Sequence, residues 1–174
     1  MKKVLTAMAL GIAAPLTITA SAPAVAAKKD EKPAYEIPTP PEGMGQIIFY
    51  RTGGLSGAAL GCAVFDPEFG EDKLSSLGSG RYFVLHSTPG ERNFKVKSLE
   101  SKDTLTLEVE EEETQFVRCK IKAGFLSGRA NIAPSSEKEF RKKYKKAKLV
   151  DADDMSEAVA GMNYSAQEVA AATE

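Results

Sequence analysis

From Gly45 onward the apolar residues of this chain recur at every second position, the repeat of a strand with one face turned inward and the other outward. Gln46-Ile47-Ile48-Phe49-Tyr50-Arg51 is β-branched and aromatic and predicts a strand. Gly53, Gly54 and Gly57 make a loop after it, and residues 58–65 read as a second strand with Leu60, Cys62 and Val64 on one face. Asp66-Pro67-Glu68-Phe69-Gly70 is turn chemistry, because proline presets one dihedral and glycine permits a positive one. A short strand over residues 73–77 breaks at Gly78-Ser79-Gly80. A strand over residues 81–86 then leads into the tight turn Thr88-Pro89-Gly90-Glu91. Beyond it Phe94 and Val96 alternate with Asn93, Lys95 and Lys97, and Leu105, Leu107 and Val109 alternate with Thr104, Thr106 and Glu108. Glu111-Glu112-Glu113 is expected to top a hairpin, since adjacent like charges seek solvent. On the return strand Val117, Cys119 and Ile121 share one face while Phe116, Arg118, Lys120 and Lys122 take the other. Short strands at regular spacing with turn signals between them predict a mainly β fold over residues 45–134, an antiparallel β-sandwich of immunoglobulin- or transthyretin-like type.

The period then changes. Ser136 followed by Glu139 is a capping box, and residues 137–148 have helical propensity throughout, giving a C-terminal basic α-helix within residues 135–149. Phe140, Tyr144 and Ala147 form one narrow apolar stripe at i, i+4 and i+7. Lys138, Arg141, Lys142, Lys143, Lys145, Lys146 and Lys148 cover the rest, a net charge of +5 against Glu137 and Glu139. Residues 150–174 hold six acids and no base, are rich in alanine, and are expected to form a flexible tail.

The other end reads differently. Met1-Lys2-Lys3 is a basic start, residues 4–18 are mostly apolar and uncharged, and small residues run through Ser21-Ala22-Pro23-Ala24-Val25-Ala26-Ala27. That is the layout of a secretory signal peptide over residues 1–27, cut after Ala26 or Ala27. A membrane anchor fits less well, because the apolar run falls short of the roughly 20 residues a spanning helix needs and Pro15 interrupts it. Residues 28–44 carry Pro33, Pro38, Pro40 and Pro41 among charges and read as an extended linker. Export implies a periplasmic or secreted location, with no transmembrane segment left after cleavage.

Loss of Lys2 and Lys3 with the leader leaves 24 acids against 21 bases, a net charge of -3. So balanced a chain has no global attraction to nucleic acid. In an oxidising compartment the pair Cys62 and Cys119 favours a disulfide over a metal site, and both fall on faces that read as core. A bridge closing about 58 residues is worth on the order of 4 kcal/mol by chain entropy. Two separate buried thiols are the alternative. With a single histidine, His86, the two thiols make no structural zinc cluster.

Catalytic constellations are scarce. Any Ser-His-acid or Cys-His arrangement must use His86, which closes an apolar strand beside a turn and reads first as structural or exposed. No nucleophile elbow, zincin helix or phosphate loop is present. Asp66, Glu68, Glu71 and Asp72 offer oxygen donors of the kind calcium takes, but their spacing fits no defined loop and solvated turn residues are preferred. No catalytic residue, metal site or cofactor is therefore assigned. Two loops resemble each other: Gly53, Gly54, Ser56 and Gly57 follow one strand, and Gly124, Ser127 and Gly128 follow another. They are candidate binding loops at one rim of the sandwich. The basic helix, with Arg141, Lys142, Lys143, Lys145 and Lys146, is the candidate for contact with an anionic envelope surface. Its plain alternative is a solvated helix docked by the aromatic stripe, with Glu137–Arg141 and Glu139–Lys143 as i,i+4 pairs and the acidic tail answering its charge.

The order of elements over residues 45–134 resembles the bacterial envelope family known as Domain of Unknown Function 2846. The resemblance rests on the opening strand ending Phe49-Tyr50-Arg51, the glycine loop, Gly80-Arg81-Tyr82-Phe83 leading to Thr88-Pro89-Gly90, and the glycines after the long strand. Arg92 stands where the family's turn leads one to expect histidine, and no cysteine at the cut site takes the lipid seen in many relatives. The resemblance implies a small β-rich envelope domain and supplies no activity. The resulting expectation is an exported, non-catalytic binding or structural module whose partner is an anionic envelope surface or a periplasmic protein. A small periplasmic hydrolase built on His86, with Ser56, Ser127 or an acid beside it, and an inhibitor- or chaperone-like binder are the alternatives.

Overall fold

The computed structural model describes residues 37–54, 59–70, 72–98, 100–125 and 128–161. The expected leader, the first part of the linker and the last residues of the tail lie outside them. Among the described residues these elements follow in chain order: β1 (Gly45–Arg51), β2 (Cys62–Phe65), β3 (Lys73–Leu77), β4 (Arg81–Ser87), β5 (Gly90–Lys97), β6 (Lys102–Val109), β7 (Thr114–Ala123), β8 (Gly128–Ser135), α1 (Glu137–Tyr144) and β9 (Lys148–Leu149). The strands form two sheets, one of five in the order β8-β7-β1-β4-β9 and one of four in the order β3-β2-β5-β6. The chain is thus a mainly β sandwich, as its alternation predicts. Most pairs are antiparallel, but β1 runs parallel to β7 and β4 runs parallel to β9, so the first sheet is mixed.

Between the sheets lies the main core. Ile47, Phe49, Phe83, Leu85, Val117 and Ile132 of the first sheet meet Val64, Leu74, Leu77, Phe94 and Val96 of the second. Cys62 and Cys119 are bonded within this core, with Cα atoms 6.6 Å apart, and the bond joins β2 to β7 across the two sheets. A second core lies on the other side of the first sheet, where Ile48, Tyr50, Tyr82, Val84 and Phe116 meet Phe140 and Ala147. Every residue of β1 is buried, and its Ile47–Tyr50 run is unbroken because each face of the strand meets a core, with the buried polar Gln46 and Arg51 at either end.

The second strand starts at Cys62 and not at residue 58, and four further features differ from the sequence expectation. First, the Glu111–Glu113 turn does not top a hairpin, because β6 pairs with β5 whereas β7 pairs with β1 and β8. The turn carries the chain from one sheet to the other, and Glu112 N–H on Met44 O (2.9 Å) ties it to the entry of β1. Second, the hairpin is β7–β8, closed at Ala123 opposite Gly128. Gly128 opens a strand and is not a loop residue. A side chain there would collide with Ile121 and Leu60, so its glycine is explained by packing. Third, α1 stops at Tyr144, four residues before the expected Lys148. Lys146 N–H on Lys143 O (3.1 Å) and Ala147 N–H on Tyr144 O (2.8 Å) tighten the chain into a turn, and Lys148 N–H on Gly80 O (2.9 Å) starts β9 along β4.

Fourth, the ordered domain does not end at residue 149. Val150, Met155 and Val159 are buried in the main core, a 3-10 turn spans Ala152–Asp154, and Met155 bridges to Ser75 on β3. Residues 150–161 therefore cover the β3 edge and are no solvated tail. The β8 edge is closed as well. Asp103 Oδ2 accepts from Ile132 N–H (2.9 Å), Ser98 Oγ from Ala130 N–H (3.3 Å), and Ser101 Oγ donates to Ala130 O (3.0 Å). These groups would otherwise be free to pair with another chain.

Candidate functional site

α1 is held to the first sheet by its aromatic stripe. Phe140, 0% exposed, sits among Tyr50, Phe116, Tyr82 and Tyr144 with ring centroids 5.3, 5.5, 5.7 and 5.8 Å away. A polar chain fastens the same helix. Tyr50 OH lies 2.6 Å from Ser135 Oγ, Ser135 Oγ donates to Glu139 Oε2 at 2.7 Å, and Arg118 Nη1 donates to that oxygen at 3.0 Å. The bond from Ser135, then the Arg118 charge, hold the Glu139 carboxyl below its ordinary pKa, while burial raises that of Tyr50. Ser136 caps the helix, its Oγ accepting from Glu139 N–H at 3.4 Å. Glu137 pairs with Arg141 as the i,i+4 spacing predicts, but Glu139 turns to Ser135 and Arg118.

With the stripe inward, Lys138, Arg141, Lys142, Lys143, Lys145 and Lys146 are exposed. Two of the acids expected to answer this charge are engaged elsewhere: Asp151 pairs with Arg81 at 2.8 Å and Asp154 with Lys73 at 4.0 Å. The structure also brings in bases that the helix argument did not include. Arg118, Lys120 and Lys122 project from the outer face of β7, and Arg129 on β8 stands opposite Lys122. Lys120 and Lys142 both lie near enough to help hold the Glu139 pKa down, so strand and helix bases meet around that carboxylate. The alternation along β7 already puts Arg118, Lys120 and Lys122 on one face; what sequence withholds is that α1 packs beside them.

The two candidate loops leave the first sheet at the same end, because they follow β1 and β7, which run parallel side by side. Gly53 and Gly54 are exposed, and Gly54 is clipped to the turn before β4 through Ser79 Oγ, 3.1 Å from its N–H. Gly124 precedes Phe125, which is 92% exposed, whereas Ser56, Gly57 and Ser127 lie outside the described residues.

His86 is half-buried on β4, opposite Gln46 of β1, on the face that also carries Tyr82 and Val84. Among the described residues its side chain makes no hydrogen bond or ion pair. Burial lowers its pKa. A histidine that is harder to protonate when folded supports stability above its ordinary pKa of about 6.5 and withdraws that support as pH falls below it. Unfolding midpoints are expected to decline modestly from pH 7 toward pH 5, and His86→Gln is expected to flatten that decline. An unchanged slope in the variant would remove His86 as its cause.

The acidic turn is built as a structural element. Asp66, 0% exposed, accepts from Glu68 N–H at 2.9 Å and pairs with Arg92 at 2.5 Å; Glu68 takes the other arm of the guanidinium. Asp66 is thus no solvated turn residue. Among the described residues no group of three or more His, Cys, Asp or Glu side chains is placed to hold a metal ion. No protein-family model, curated protein or solved structure matches the chain.

Proposed function

We propose that the protein is an exported, non-catalytic binding module of the cell envelope that docks on an anionic surface through the basic face of α1 and the adjoining strip of β7. One observation carries the reading: the aromatic stripe fixes α1 to the sheet with its bases outward, while the tail acids Asp151 and Asp154 pair with Arg81 and Lys73. The basic, apolar and small-residue layout of the first 27 residues supports export, and the resemblance to an envelope family belongs with it. The disulfide is compatible with an oxidising compartment, and among the described residues no helix is long and apolar enough to cross a membrane.

Co-sedimentation with anionic vesicles and with purified cell-wall polymer, at low and high salt, tests it. Binding is expected to fall steeply with salt and to be lost when Lys142, Lys143, Lys145 and Lys146 are all changed to Gln, since exposed charges are screened beyond a Debye length of about 10 Å at 0.1 M salt. Protein left in the supernatant at both salts would reject the surface reading. A second reading, insertion of the shared loop rim into a protein partner, is favoured by the exposure of Phe125 and would then lead.

A further inference from the structure

The outer face of the second sheet carries a charge pattern that a single chain does not satisfy. β5 and β6 turn alternate side chains outward, and their register sets Glu91 opposite Glu108, Asn93 opposite Thr106, Lys95 opposite Thr104, and Lys97 opposite Lys102. All eight are exposed. Like charges directly opposite one another on an antiparallel pair are destabilising, so each end of the face holds a self-repulsive pair, acidic at one end and basic at the other. Six residues separate the ends along β5, about 20 Å at the rise of a strand. The two pairs lie at equal distances from the Phe94–Leu105 position, three residues to either side.

We propose that this face is a homodimer interface. A second copy, related by a two-fold axis lying in the interface and crossing the strands at Phe94–Leu105, reverses the strand direction while keeping β5 over β5 and β6 over β6. Glu91 and Glu108 then face the partner's Lys97 and the partner's Lys102, and the reverse pairs form at the other end. Such an interface is isologous, the same patch serving both copies. The centre is shaped for close approach. Asn93 and Thr106 are short and bonded to each other at 2.6 Å. Lys95 would stand over the partner's Asn93, which lines a groove of about 390 Å³ together with Glu68, Lys95 and Thr104. Lys97 already lies over the Phe65 ring, 4.6 Å from its centroid, and thus extends across the face. The lysines used here are not those of α1, so the dimer stands or falls separately from surface docking.

Sedimentation velocity of the purified protein at several concentrations tests the proposal. At low salt a dimer is expected, with a dissociation constant that rises about tenfold or more on going to high salt. The double substitutions E91K/E108K and K97E/K102E change only exposed side chains, and each variant alone is expected to sediment as a monomer at low salt. Their equimolar mixture restores opposite charges at every contact and is expected to form a heterodimer. A monomer at low salt, a dimer indifferent to both salt and the substitutions, or a mixture that stays monomeric would each overturn the interface.

Discussion

Replacing Phe140 with alanine is expected to cost about 3–5 kcal/mol, the usual range for an aromatic side chain deleted from a closed core. Its ring is the hub of the second core, touching Tyr50, Tyr82, Phe116 and Tyr144 edge-on or tilted. Without it α1 is held by Tyr144, by Ala147 in the turn that follows it and by the polar chain through Ser135, which cannot exclude water from Ile48 and Tyr50. The loss reaches further than the helix, because those two residues belong to the central strand of the first sheet. Chemical denaturation of the variant reads the effect. A change under about 1 kcal/mol would mean that the aromatic plug does not hold the helix down.

The second large effect belongs to the disulfide. Changing both Cys62 and Cys119 to Ala is expected to lower stability by about 4 kcal/mol, mostly by releasing the unfolded chain from a long closed loop. The bonded residues are 57 apart in sequence and join facing strands of opposite sheets, so the bond constrains a large part of the domain. The melting temperature should fall by on the order of 10 °C. Wild-type protein unfolded under reductant should approach the variant's midpoint. If the variant matched the oxidised wild type, the bond would be contributing nothing to stability.

Much of this architecture is legible in the sequence because burial leaves a period. The alternation in β5, β6 and β7 identified the inward faces correctly, including that of Cys119. What alternation cannot name is the partner strand. The acidic turn after β6 therefore looked like a hairpin tip, although β7 goes to β1, some seventy residues earlier in the chain. β8 leaves little signal in the sequence because Gly128-Arg129-Ala130-Asn131-Ile132-Ala133 has little hydrophobic contrast. Residues 150–161 looked like a solvated tail because Asp151, Asp153, Asp154 and Glu157 dominate their composition. Three widely spaced apolar residues, Val150, Met155 and Val159, were enough to seat them. The candidate surface was half legible: the helix bases stood out as a run, whereas Arg118, Lys120, Lys122 and Arg129 join them only through packing.

The position of β1 has a consequence for how the chain comes to be folded. Its Ile47-Ile48-Phe49-Tyr50 run is the first part of the sandwich to be synthesised, yet its parallel neighbour β7 and its cover α1 come last but for β8 and β9. Pairings that span so much sequence form slowly. Although β4 can cover one edge of β1 once residue 87 is made, the other edge stays open until β7 follows, leaving exposed a segment of high β-propensity and no charge, the kind most prone to join a like segment on another chain. The newly made chain, not the finished fold, is therefore expected to be the aggregation-prone species.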